Sequence, residues 1–200
     1  MARFLDWILL LSLRVMTGVT ARWAGCRPEP RQRIYCVNHT SHLDFPLVRA
    51  ALPAAFRQAA RPVAAADYWQ SGAVRRYMIH RVFNAITVER GSGAPQAIDP
   101  VRAALAAGGS LIYFPEGTRG PGRDLQPLKS GVYHLSREFP AAEAVPVWID
   151  NAWRVMPKGA ILPVPMLCSV TFGAPLRAGE SEEKEAFLAR LRAAMEALRP

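Results

Sequence analysis

From Gly25 onward the chain alternates short apolar runs with stretches of helical periodicity, the pattern of a largely parallel sheet crossed over by helices. Strands are expected at Arg33–Val37, Arg61–Ala65, Phe83–Val88, Ser110–Phe114, Val145–Ile149 and Leu167–Phe172. Helices are expected near 43–52, 68–80, 96–107, 130–138 and 181–198, the last with Phe187, Leu188, Leu191, Ala194, Met195 and Leu198 on one face. No linker or internal repeat interrupts this order, and 200 residues suffice for one domain with a sizeable core. The expected fold is therefore α/β, a single domain over residues 25–200 with a mixed, mostly parallel sheet flanked by helices. The proline-bounded stretch Pro157–Pro165 reads as an extended surface segment.

Charge is uneven along this pattern. Residues 1–90 hold thirteen Arg or Lys against five Asp or Glu, whereas residues 91–200 hold twelve against eleven. The basic front half suits an anionic partner: a membrane surface, a nucleic acid or a phosphorylated substrate. Cys26, Cys36 and Cys168 are odd in number and lack metal-ligand spacing, which points to reduced thiols, with Cys36 and Cys168 as small buried hydrophobes.

Residues 1–24 are expected to form an N-terminal helix, whose most apolar segment, Phe4–Met16, is interrupted by Asp6 and Arg14. It is too short and too charged for a clean transmembrane span. At 100° per residue Arg3, Asp6, Arg14 and Thr17 share one stripe broken by Leu10, while Phe4, Trp7, Ile8, Leu11 and Val15 lie elsewhere on the wheel. That is the pattern of an amphipathic helix lying in a membrane interface. A helix docked on the protein's own core, a signal peptide ending near Val19-x-Ala21 and a shallow or tilted span are the alternatives.

Two polar clusters directly follow expected strands. In Asn38-His39-Thr40-Ser41-His42-Leu43-Asp44, His39 and Asp44 cannot share the face of a regular helix, and they meet only if the helix starts between them. Strand ends of α/β sheets open onto ligand crevices, so such a pair is a candidate for chemistry. Ser41-x-x-Asp44 also fits a capping box, though Pro46 favours a later start with Asp44 itself as N-cap. A metal site at His39, His42 and Asp44 lacks an evident further ligand. In the second cluster, Phe114-Pro115-Glu116-Gly117-Thr118-Arg119-Gly120, the glycines, the Thr hydroxyl and the Arg fork can cradle a phosphate. The plainer alternative is a polar turn in which Glu116 and Arg119 pair locally.

Together these motifs resemble the glycerophospholipid acyltransferase family, which includes bacterial 1-acylglycerol-3-phosphate acyltransferases. Asn38-His39-x4-Asp44 is similar to the family's first block, Phe114–Arg119 to its third and Val145-Pro146-Val147 to its fourth. The second block is matched loosely by Phe83–Arg90, with Arg90 as the residue that carries over. The resemblance covers roughly residues 33–173 and implies catalysis by His39 as general base on an acceptor hydroxyl, with Asp44 holding the other ring nitrogen. It implies that Arg90 and Arg119 bind the acceptor's phosphate, that Glu116, Gly117 and Thr118 orient its polar head, and that Lys158 adds a further phosphate contact.

The implied reaction moves a fatty acyl group from acyl-CoA or acyl-carrier protein to a lysophospholipid, foremost 1-acyl-sn-glycerol-3-phosphate. No cofactor or metal is implied, and the implied place is the cytoplasmic face of the membrane, peripheral or monotopic, on anionic lipid. Another lysolipid acceptor, such as lyso-ornithine lipid, and a non-catalytic module that binds anionic lipid are the alternatives. Nucleic-acid binding lacks a recognition motif.

Overall fold

A computed structural model describes residues 1–69, 71–89, 95–122, 124–157, 160 and 162–200. The first half runs α1 (Ala2–Thr17), β1 (Thr20–Trp23), β2 (Arg33–Val37), α2 (Asp44–Ala51), α3 (Ala54–Arg57), β3 (Ala60–Ala65), α4 (Ala66–Trp69), α5 (Ala73–Tyr77) and β4 (Ile86–Val88). The second half continues α6 (Asp99–Ala106), β5 (Ser110–Tyr113), α7 (Gly131–Glu138), β6 (Glu143–Asp150), α8 (Ala152–Val155), β7 (Ser169–Phe172) and α9 (Lys184–Glu196). The seven strands form one sheet in the order β1-β7-β6-β2-β5-β3-β4. All neighbours are parallel except β6 and β7, so the expected mixed, mostly parallel α/β domain is what the chain forms.

Strand β2 sits centrally and is buried along its whole length, as a parallel strand covered on both faces must be. Its alternation sorts the core into two layers. Tyr35 and Val37 pack with Leu47, Val48 and the inner side of α1, while Ile34 and Cys36 pack with Leu105, Val132, Leu135 and α9. Phe187, Leu191 and Met195 of α9 are fully buried at i, i+4 and i+8, each stabilising the fold by roughly 1.5–3 kcal/mol.

Several elements differ from the sequence reading. Expected helix 68–80 divides into α4, α5 and a π-helical turn at Met78–Val82, with Gly72 at φ +128° heading α5. That turn keeps Phe83, its C-cap, out of the expected strand, and Asn84 at φ +51° follows before β4 begins at Ile86. Residues 20–23, assigned to the N-terminal helix on sequence, form the edge strand β1. Its register, Thr20 opposite Ser169 through Trp23 opposite Phe172, comes from β7 and not from any apolar run of its own. Helix α1 stops at Thr17 because Gly18, at φ +50°, closes the last turn by donating its N–H to Arg14 O.

Helix α1 turns its polar stripe inward. Asp6 accepts two bonds from Nη2 of Arg49 at 2.9 and 3.1 Å, and Arg14 donates from Nε to Ala50 O at 3.1 Å. Both partners belong to α2. Leu10, Leu13 and Thr17 complete the buried side, whereas Phe4, Trp7, Ile8, Leu11 and Val15 are exposed. Among the described residues no helix is long and apolar enough to cross a membrane.

Candidate active site

The carboxyl ends of β2, β5, β3 and β4 open onto one cleft of about 450 Å³. His39 and His42 enter from the β2 turn, and Gly117, Thr118 and Arg119 from the β5 turn. Residues 63–65 of β3, the following Asp67-Tyr68-Trp69, and Val88 form the opposite wall. This is the crevice expected beyond the carboxyl edge of a parallel sheet.

The β2 turn is fastened at both ends. Asn38 exchanges two hydrogen bonds with the Ile149 backbone of β6, donating from Nδ2 at 3.1 Å and accepting at Oδ1 at 2.7 Å. Helix α2 then begins at Asp44 with Leu43 as N-cap, one residue ahead of the cap expected at Asp44, and Pro46 falls in its first turn, where the missing N–H removes no helical bond. Asp44, 1% exposed, points its carboxylate back into the turn. Its Oδ2 accepts from Thr40 N at 2.7 Å, from Ser41 N at 2.8 Å and from His39 Nδ1 at 2.8 Å. This realises the backward half of the capping box. The forward half is replaced, because Ser41 Oγ accepts from Leu43 N and donates to Met156 O.

The His39–Asp44 bond has a chemical consequence. A carboxylate can only accept, so Nδ1 carries the proton and Nε2 keeps the lone pair. The ring is further held by stacking on Phe114, with centroids 4.1 Å apart. A histidine in this tautomer can take a proton at Nε2 while the carboxylate stabilises the imidazolium that results.

Glu116 stands elsewhere than the sequence reading expected. At 2% exposure it is withdrawn from the cleft lining, and its two carboxylate oxygens are spent on backbone: Oε1 accepts from His39 N at 2.6 Å and Oε2 from Gln126 N at 2.8 Å. It orients the turn that carries His39, and its partners are not Arg119, so the local pairing considered on sequence does not form. Burial raises its carboxyl above the ordinary value, opposed by those two N–H donors. A further bond, from Gly120 N to His39 O at 2.8 Å, ties the same two turns together.

Gly117, Thr118 and Arg119 do line the cleft. Gly117 adopts φ +70°, a conformation that favours glycine, and the end of the Lys129 side chain packs 2.9 Å from where a Cβ would stand. Arg119 Nη1 is buried without a hydrogen-bond partner among the described residues, a cationic donor with capacity for an anion. Arg90 and Lys158 lie outside the described residues.

Among the lining residues that carried no binding role on sequence are His42, Asp67, Tyr68, Trp69 and Lys129. His42 packs on Tyr68 at 5.3 Å, and burial, with the charges of Arg119 and His39, holds it below the ordinary histidine value. Lys129, one of three lysines in the chain, reaches the cleft because its N–H is fixed to Pro115 O at 2.8 Å. That lysine, ten residues past Arg119 in a chain otherwise using Arg, was the available sequence signal.

The family model described as Acyltransferase matches residues 26–150, which include both turns. No curated protein matches. Among solved structures the chain is similar to the 1-acyl-sn-glycerophosphate (LPA) acyltransferase PlsC from Thermotoga maritima, at 19% identity and a TM-score of 0.69, over 96% of this chain and 80% of that one. At that identity the likeness speaks for the fold. The family match over most of the chain, joined to a His39–Asp44 pair and a Phe114–Arg119 turn on one cleft, shows that this chain belongs to the acyltransferase family, as the glycerophospholipid acyltransferase resemblance of its motifs implied.

Proposed function

We propose that the protein transfers a fatty acyl group from an acyl thioester to the free hydroxyl of a lysophospholipid, with 1-acyl-sn-glycerol-3-phosphate as the acceptor and phosphatidate as the product. The observation that carries this reading is the 2.8 Å His39–Asp44 bond beside a cleft that also holds Arg119 and Lys129. The acceptor oxygen attacks the thioester carbonyl as His39 Nε2 takes the hydroxyl proton. The carbon–sulfur bond then breaks, and the imidazolium returns that proton to the leaving thiolate. Asp44 stabilises the charged ring between the two transfers. The thioester is already activated, so no covalent acyl-enzyme is needed.

Arg119, with its unpartnered donor, and Lys129 bind the acceptor phosphate, and Gly117 and Thr118 bring backbone and hydroxyl to its head. Arg90 and Lys158 remain part of this proposal as further phosphate contacts, whereas Glu116 serves by positioning His39. The outward apolar side of α1 docks on anionic lipid at the cytoplasmic membrane face, which brings the cleft to a lipid substrate.

One observation favours a second reading of the acceptor. Asp67 lines the cleft with no ion pair among the described residues, which suits a cationic group on the acceptor, as in lyso-ornithine lipid. Purified protein offered lysophosphatidate and lyso-ornithine lipid, each with acyl-CoA and acyl-carrier protein, decides between them. Turnover of lysophosphatidate is the expected result. Preference for the amino-bearing lipid selects the second reading, and no turnover of any pair leaves a non-catalytic lipid-binding module.

A further inference from the structure

We infer that the membrane-facing surface is composite, built from the outer side of α1 and the segment 162–167, with a bilayer containing anionic lipid as its occupant. The inference rests on the membrane reading of α1 given above and extends it to a second, distant part of the chain.

Continuity of the apolar surface is the first argument. Leu11, Val15 and Gly18 follow one another at helical spacing along the exposed stripe of α1. At Gly18 the stripe meets the second segment: a Cβ added there would stand 2.7 Å from Leu167 Cδ2. Backbone bonds pin this junction, with Cys168 donating to Thr17 O at 2.9 Å and Thr20 donating to Cys168 O at 3.2 Å. Val15 is 80% exposed, Leu167 75% and Leu162 79%, with Val164 also largely exposed between them. The apolar ribbon that starts at Phe4 and Trp7 thus passes from the helix onto the loop without a polar break at the junction.

The chemistry of the loop is the second argument. Pro163 and Pro165 have no backbone N–H, Val164 spends its N–H on Val155 O at 2.7 Å, and Leu167 O accepts from Asn151 Nδ2 at 3.0 Å. Two N–H groups are thus missing, and one N–H and one C=O are already paired, which lowers the cost of resting this segment in an apolar boundary. No charged residue occurs between Lys158 and Arg177.

Charge complementarity selects the occupant. Residues 1–28 carry Arg3, Arg14, Arg22 and Arg27 against one acid, Asp6, and that acid is neutralised by Arg49. A cationic segment with an outward apolar ribbon fits an anionic bilayer better than a protein groove.

The test places an environment-sensitive nitrobenzoxadiazole label at Val15→Cys, Leu162→Cys or Glu185→Cys of the full chain in a Cys26→Ser background. Glu185, on α9 across the sheet, is the off-face control. Each is mixed with vesicles of phosphatidylglycerol and phosphatidylcholine. Blue-shifted, brightened emission at 15 and 162 with an unchanged signal at 185 is the expected result. A response at 15 alone overturns the composite face and leaves the membrane reading of α1 standing, whereas no response at either overturns both. A response at 162 without one at 15, or an equal response at 185, also contradicts a shared face. As a second readout, Leu162→Asp should weaken partitioning into the same vesicles about tenfold, the weight of one buried leucine, with unchanged turnover of a detergent-dispersed acceptor. Unchanged partitioning would count against the loop.

Discussion

The β2–α2 turn and helix α1 are both attached through α2, yet they are held in opposite ways. In the turn, Asp44 and Glu116 together take five hydrogen bonds, from Thr40, Ser41, His39 twice and Gln126, so its shape is over-determined. Helix α1 brings its polar stripe to the domain through one carboxylate and one guanidinium, and leaves Phe4, Trp7, Ile8, Leu11 and Val15 facing outward. The difference teaches where a single substitution should act on chemistry and where on attachment. A side chain of the turn can be changed with its neighbours still fixed by others, whereas Asp6 has no substitute.

The sharpest way to break this comparison is at Asp44. Asp44→Asn should lower kcat roughly 10³–10⁴-fold, the size of effect seen when a catalytic histidine loses the carboxylate that fixes its tautomer. Steady-state kinetics check it, and circular dichroism should show an intact fold. Next in size is Asp6→Ala, which strands the buried Arg49 guanidinium and should destabilise the protein by about 3 kcal/mol in urea unfolding. Turnover of a dispersed acceptor by the folded fraction should change little. Equal loss of kcat in both variants would erase the distinction between chemistry and attachment.

Smaller effects sharpen the cleft itself. Removing charge-assisted bonds in Arg119→Ala should raise KM for a phosphate-bearing acceptor by roughly ten- to a hundredfold, with kcat less affected, and initial-rate assays read the split. Smallest is His42, whose folded-state value lies below the ordinary 6.5. Between those two values the unfolded chain binds more protons than the folded one, so stability rises with pH through that window and falls on acidification. His42→Gln should flatten this part of the stability profile in pH-dependent urea melts.

How much of this was legible follows the same division. Strand β2 matched its expected bounds because a central parallel strand needs an unbroken apolar run, and His39 and Asp44 meet in the one way their spacing left open, across the start of a helix. Arg119 and the glycine turn were likewise readable from side-chain type. Glu116 was misread because a motif shows that a carboxylate is present but not which way it points, and here backbone N–H groups from two turns claim it. The wheel of α1 separated polar from apolar residues correctly, yet the inward direction of the polar stripe depends on Arg49 of α2, far along the chain. Strand β1 and the π-helical turn before β4 were hidden for the same reason, their form being set by neighbours in space.

The central claim is that His39 removes the proton of the acceptor hydroxyl. It is tested most directly by single-turnover transfer from acyl-CoA to lysophosphatidate with wild-type protein and His39→Ala, at saturating acceptor. Loss of the general base predicts a rate lower by about 10²–10⁴-fold at unchanged fold and unchanged acceptor binding. A His39→Ala rate within a few-fold of wild type would contradict the account.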